Sequence, residues 1–141
     1  MNTPRPRVLV VDDDLDVTRT LALLLNCWGY EPVVAYDGQS ALALASADPL
    51  AAVLLDLRLP GMDGFELARR LRDQPGLGKC LIIAMTDRGR EVEVLCGYEV
   101  GIDLYVTKNC KPDDLRKALA GSCPPSSSAS GADADAGPPS P

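Results

Sequence analysis

The sequence predicts an α/β domain: a doubly wound parallel sheet of five strands with five helices on its two faces. Three observations carry this expectation. Short apolar runs alternate five times with segments of helical period. No hairpin signal joins one run to the next, so each connection is a crossover. The first run, Val8–Val11, is apolar throughout, as in a strand buried on both faces.

The elements follow in order. After Val8–Val11, the residues Leu15, Thr18, Leu21, Leu24, Leu25 and Trp28 recur at helical spacing, and Gly29 suits the cap that ends the helix. Pro32–Tyr36 reads as the second strand. Asp37-Gly38 is a turn, and Ser40–Ala47 is an Ala/Leu helix stopped before Asp48-Pro49. Ala51–Leu55 is the third strand, ending at Asp56, and Gly64–Arg72 is a helix closed by Pro75-Gly76. Leu81–Met85 is the fourth strand. Arg90–Val100 is a weaker helix ending at Gly101, Ile102–Val106 the fifth strand, and Pro112–Ala120 the last helix, with Pro112 in its first turn.

Composition bounds the function. The chain has 141 residues, 46% of them hydrophobic, enough for one core. Its net charge is −6 with no basic run, which argues against direct contact with nucleic acid. No apolar stretch reaches membrane-spanning length, and Met1–Arg7 lacks the apolar core of a signal peptide. The five cysteines, Cys27, Cys80, Cys96, Cys110 and Cys123, form no C-x-x-C pair and fit reduced thiols in the cytoplasm. There is no histidine, so this chain has no histidine base and carries no phosphohistidine of its own. Residues 1–6 read as a short tail, 7–120 as the domain, and 121–141 as a disordered tail or linker rich in Pro, Ser, Ala and Gly.

In an open parallel sheet, ligands bind beyond the carboxyl ends of the strands. Those ends carry Asp12-Asp13-Asp14, Asp56, Thr86-Asp87 and Thr107-Lys108. Two unit charges about 4 Å apart repel by roughly 4 kcal/mol at an effective dielectric near 20. Acids gathered at this edge therefore call for a cation. Mg²⁺ suits them, since it takes one or two carboxylates plus water and phosphate oxygens. Lys108 suits one phosphoryl oxygen, Thr86 another, and a carboxylate can serve as nucleophile. Taken singly, Asp12 and Asp13 also suit the N-terminus of the first helix. Asp14 and Asp63 read as caps or turn residues. Neither of the glycine-rich phosphate-binding signatures is present.

The segments "VLVVDDD", "LLDLRLPGMDG", "IIAMT" and "YVTK" resemble, in order and spacing, the receiver domain of bacterial response regulators over residues 8 to about 119. The resemblance implies the flavodoxin-like strand order 2-1-3-4-5. It implies Asp56 as phosphoacceptor, with Mg²⁺ held by Asp13, Asp56 and the backbone carbonyl of Arg58, and by Asp12 largely through water. It implies that Thr86 and Lys108 contact the phosphoryl group, and that Tyr105 is an aromatic switch following Thr86. The partners it implies are a sensor histidine kinase or histidine phosphotransfer protein, and an output protein docking on the fourth helix, fifth strand and last helix. Such a chain is no enzyme beyond catalysing its own phosphoryl transfer and dephosphorylation. The alternative is a degenerate receiver acting as a constitutive interaction module. An aspartyl phosphohydrolase would have a second acid two residues after the nucleophile, where Arg58 stands. Three positions depart from the family's habit: Asp87 replaces a small residue, Asn109 a proline and Cys110 an aromatic one. Cys110 reads as an inert thiol, although the lysines on either side of it, Lys108 and Lys111, are able to lower a thiol pKa.

Overall fold

A computed structural model describes residues 5–59, 61–75, 77–86, 101–107 and 110–122, with the backbone alone at 58, 59, 86 and 122. The expected helix Arg90–Val100 lies outside these residues, so the described helices number four, not five.

The chain begins with β1 (Arg7–Val11), α1 (Leu15–Cys27), β2 (Glu31–Ala35) and α2 (Gly38–Ala47). It continues with β3 (Ala52–Asp56), two short strands β4 (Arg58–Leu59) and β5 (Met62–Asp63), and α3 (Gly64–Asp73). Then come β6 (Leu81–Thr86), β7 (Leu104–Thr107) and α4 (Pro112–Ser122). Five strands form one parallel sheet in the order β2-β1-β3-β6-β7. The expected numbering 2-1-3-4-5 therefore does not hold along the chain. The reason is the antiparallel ribbon β4–β5, pairing Arg58 with Asp63 and Leu59 with Met62, which adds two strands after β3. Strands of two residues are too short to leave a period in the sequence. Gly61, with φ 77°, supplies the positive dihedral in the turn between them.

Successive strand residues serve opposite faces of the sheet. Leu9, Val11, Val53, Leu55, Ile82 and Ala84 pack with Ala41 and Ala45 of α2 and Leu67, Ala68 and Leu71 of α3. Val8, Val10, Ala52, Leu54, Ile83 and Met85 pack with Leu21 and Leu25 of α1 and Leu115 and Leu119 of α4. The two layers bury β1 and β3 completely apart from the first residue of β1, and this is why both strands read as unbroken apolar runs. Burial at roughly 25 cal/mol per Å² fixes the register, since a slip of one residue would exchange the two layers.

The second and fifth strands expected from sequence start and end one to two residues away from expectation. β2 takes in Glu31 and leaves Tyr36 outside; β7 starts only at Leu104. Asp103 precedes it as an anchor, donating its N–H to the Ile82 carbonyl and accepting the Ile82 N–H on its carboxylate.

Candidate functional site

Parallel pairing sets the site. Val11 stands opposite Leu55, so the residues one step further, Asp12 and Asp56, emerge together at the carboxyl edge of adjacent strands. Both are buried, Asp12 to 2% and Asp56 to 4% exposure, while Asp13 is exposed. One carboxylate oxygen from each of Asp12, Asp13 and Asp56 lies within 4.8 Å of the others. Three hard oxygen donors so close fit a divalent cation that prefers carboxylates and water. Two of them leave bulk water, so their mutual repulsion is weakly screened.

The rival reading, in which these acids merely cap the first helix, fails on geometry. The cap is Asp14, whose carboxylate accepts the N–H groups of Asp16 at 2.9 Å and Val17 at 3.4 Å. The N–H of Asp14 in turn donates to the Asp12 carboxylate at 3.0 Å. Asp63 likewise caps α3, accepting from Phe65 N–H at 2.8 Å. The capping acids and the site acids are thus different residues.

The remaining expected residues are placed unevenly. Thr86 ends β6 opposite Thr107 of β7, one step beyond the Asp56–Met85 pair, so its backbone borders the acids; its side chain is outside the described residues. Arg58 is the first residue of the ribbon that follows Asp56, described in its backbone only. Lys108, Asn109 and Asp87 lie outside the described residues. Tyr105 is partly buried in β7 and packs against the layer that contains Ile82, Ala84 and Ile102. At Cys110 the flanking lysines do not prevail: burial, and then the negative charge of Asp114, push its thiol above the ordinary 9.0.

Sequence reading missed the glycines that let the site close up. A Cβ on Gly64 would meet the Leu57 Cα at 2.6 Å and the Asp56 carbonyl oxygen at 2.9 Å. A Cβ on Gly38 would meet the Met62 Sδ at 2.7 Å. The first contact seats α3 against the Asp56 backbone, the second seats the β4–β5 ribbon on α2. The signal for both was present, as each glycine opens a helix directly after its capping acid, Asp63 or Asp37.

Residues 8–120 match the family model of the response regulator receiver domain. Over 115 residues the chain is 41% identical to the DNA-binding response regulator MtrA of Mycolicibacterium smegmatis, covering 82% of this chain and 49% of that protein. The chain spans about half the length of the curated relatives it matches. Among solved structures, the chemotaxis protein CheY4 of Vibrio cholerae has a TM-score of 0.80 at 29% identity, covering 83% of this chain and 98% of that one. The receiver domain of sensor histidine kinase PA1611 from Pseudomonas aeruginosa PAO1, with a magnesium ion coordinated in its active-site cleft, has a TM-score of 0.77 at 26% identity. It covers 85% of this chain and 98% of that one. With the five-stranded parallel sheet, the acids at its carboxyl edge and the match over residues 8–120 together, this chain belongs to the response regulator receiver domain family.

Proposed function

We propose that this chain is a phosphorylation-controlled receiver that accepts a phosphoryl group on Asp56. The observation that carries the reading is the convergence of buried Asp12 and Asp56 with Asp13 within 4.8 Å. The donor is a phosphohistidine on a sensor histidine kinase or a histidine phosphotransfer protein, since this chain has no histidine. A carboxylate oxygen of Asp56 attacks phosphorus; the P–N bond to imidazole breaks as the P–O bond forms, and the nitrogen keeps the electron pair. Asp13, Asp56 and the backbone carbonyl of Arg58 would hold Mg²⁺, with Asp12 acting largely through bound water, and the ion when bound offsets the negative charge on the phosphoryl oxygens. Burial of Asp56 keeps most bulk water from the acceptor carboxylate. Lys108 and Thr86 take two phosphoryl oxygens, and Thr86 and Tyr105 carry the change to the surface as a population shift.

Output is protein binding at the face of the fourth helix expected at Arg90–Val100, β7 and α4. The first-matched relatives are named DNA-binding regulators, and the chain spans only about half of them, so the expectation of no nucleic-acid contact concerns this chain alone. Its net charge of −6 supports that expectation. Among the described residues no helix is long and apolar enough to cross a membrane, and Cys27, Cys80 and Cys110 are free thiols, in keeping with a reducing cytoplasm. We assign residues 7–120 to the receiver and 1–6 and 121–141 to flanking segments. The retained acid cluster weighs against a constitutive interaction module.

The test is treatment with a small phosphodonor with and without Mg²⁺, followed by intact-mass measurement. One Mg²⁺-dependent phosphoryl adduct, located on Asp56 by peptide mapping, is expected. An unmodified chain overturns the reading.

A further inference from the structure

We propose that Asp14 is a positioning residue for the acid site: its helix cap holds the Asp12 carboxylate in place for the cation. This deepens the metal reading above and rests on it. The family resemblance assigns Asp14 no role, and its side chain is exposed. Yet it joins the two structures that meet here. Its carboxylate accepts from Asp16 N–H at 2.9 Å and Val17 N–H at 3.4 Å, and its carbonyl accepts from Thr18 N–H at 3.1 Å. These bonds fix Asp14 in an extended conformation, φ −87° and ψ 116°, at the first turn of α1.

That conformation aims the N–H of Asp14 back at the Asp12 carboxylate, 3.0 Å away. On its other side Asp12 is tied to β2, its own N–H donating to the Ala35 carbonyl at 3.2 Å. The Asp12 side chain is therefore oriented by a peptide whose position depends on the Asp14 cap. A carboxylate that holds a metal, directly or through a bound water, loses affinity when the group that orients it moves. The exposed carboxylate of Asp14 acts here through the backbone it anchors, not through its charge.

The distinguishing comparison is Asp14→Ala against Asp14→Ser. Serine caps a helix about as well as aspartate but carries no charge; alanine is likewise uncharged and does not cap. Two quantities are read on each folded protein: exchange of the position-14 amide with water in metal-free protein by NMR, and Mg²⁺ affinity by calorimetry. In Asp14→Ala the amide is expected to exchange faster and Mg²⁺ affinity to fall about tenfold, the lower end for loss of an outer partner. Asp14→Ser is expected to match the unsubstituted chain in both. If Asp14→Ala lowers thermal stability but leaves the amide and Mg²⁺ affinity unchanged, Asp14 is only a cap and the proposal is overturned. If Asp14→Ser weakens Mg²⁺ as much as Asp14→Ala, charge and not positioning is responsible, which also overturns it. Faster amide exchange in Asp14→Ala, with no Mg²⁺ binding by the unsubstituted chain, supports the positioning and overturns the metal reading instead.

Discussion

Gly64 lies against the backbone of Asp56 so closely that a Cβ at Gly64 would stand 2.9 Å from the Asp56 carbonyl oxygen and 2.6 Å from the Leu57 Cα. The same glycine donates its N–H to the Leu57 carbonyl at 3.2 Å. The start of α3 and the end of β3 are thus locked together where the proposed acceptor sits. Backbone cannot swing aside as a flexible side chain can, so any side chain at 64 must push helix and strand apart. Gly64→Ala should destabilise the fold by about 1–3 kcal/mol, the usual range for overpacking, despite the better helix propensity of alanine. Denaturant unfolding checks this, and an unchanged midpoint would show that the strand end yields freely.

Asp56→Asn is expected to abolish the acyl phosphate. The amide is a poor nucleophile and offers the cation a neutral oxygen in place of a charged one. The variant should still fold, because Asn and Asp are nearly the same size at this buried position. The measurement is a hydroxylamine-sensitive phosphate after donor treatment; its persistence in Asp56→Asn would move the acceptor elsewhere.

Asp13→Ala separates the cation site from a mere cluster of acids. It removes one of the three oxygens that lie within 4.8 Å of each other. Mg²⁺ affinity should fall by at least about tenfold, while the metal-free protein should melt slightly higher, because a like charge is gone. The gain is small since Asp13 is exposed and screened. Calorimetric titration and a thermal melt test both halves. Equal Mg²⁺ affinity would mean that Asp13 contributes no ligand.

The sheet and the acid edge were legible because they rest on strong local signals. Val8–Val11 and Ala52–Leu55 are apolar without interruption, which fixes both the strands and their burial. Asp12 and Asp56 each follow such a run by one residue, so parallel register alone brings them side by side. The β4–β5 ribbon was not legible, since two-residue strands have no period. The Arg72 contacts were hidden too, because they depend on five acceptors from two separate segments, 77–80 and 101–103, neither adjacent to Arg72 in sequence. At Cys110 the lysine neighbours are visible in sequence, but the burial and the Asp114 carboxylate that outweigh them belong to the fold.

Arg72 predicts its own outcome. Its guanidinium donates to the carbonyls of Leu77, Gly78, Cys80 and Gly101 and pairs with Asp103 at 2.5 Å. Asp103 in turn accepts the Ile82 N–H at 2.8 Å, so one side chain ties the end of α3 to the start of β6 and β7. Its side chain is 18% exposed, and the part-buried carbonyls of Cys80 and Gly101 would lose this partner. Arg72→Ala should cost about 3 kcal/mol, the upper end for leaving buried polar groups unpaired. Arg72→Lys should recover little, since an ammonium lacks the planar fork. Equal denaturation midpoints for Arg72→Lys and the unsubstituted chain would show that charge alone suffices.

The last prediction concerns Cys110 and pH. Cys110 lines an apolar cavity of about 270 Å³, together with Met85, Pro112 and Leu115. Burial disfavours the thiolate, and the carboxylate of Asp114 disfavours it further, so the pKa lies above the ordinary 9.0. The sign follows: the fold favours the neutral thiol, so this contribution to stability is complete below the unfolded pKa. It is lost as pH rises through the higher folded value. Because the thiolate is the nucleophile, alkylation of Cys110 near neutral pH should be slower than that of exposed Cys27. Its rate should climb only in the alkaline range. Asp114→Asn should speed the reaction at a given pH by removing the repelling charge. Mass-resolved alkylation across a pH series gives both rates. A Cys110 that reacts at neutral pH faster than an unfolded cysteine peptide would show instead that lysine neighbours govern it.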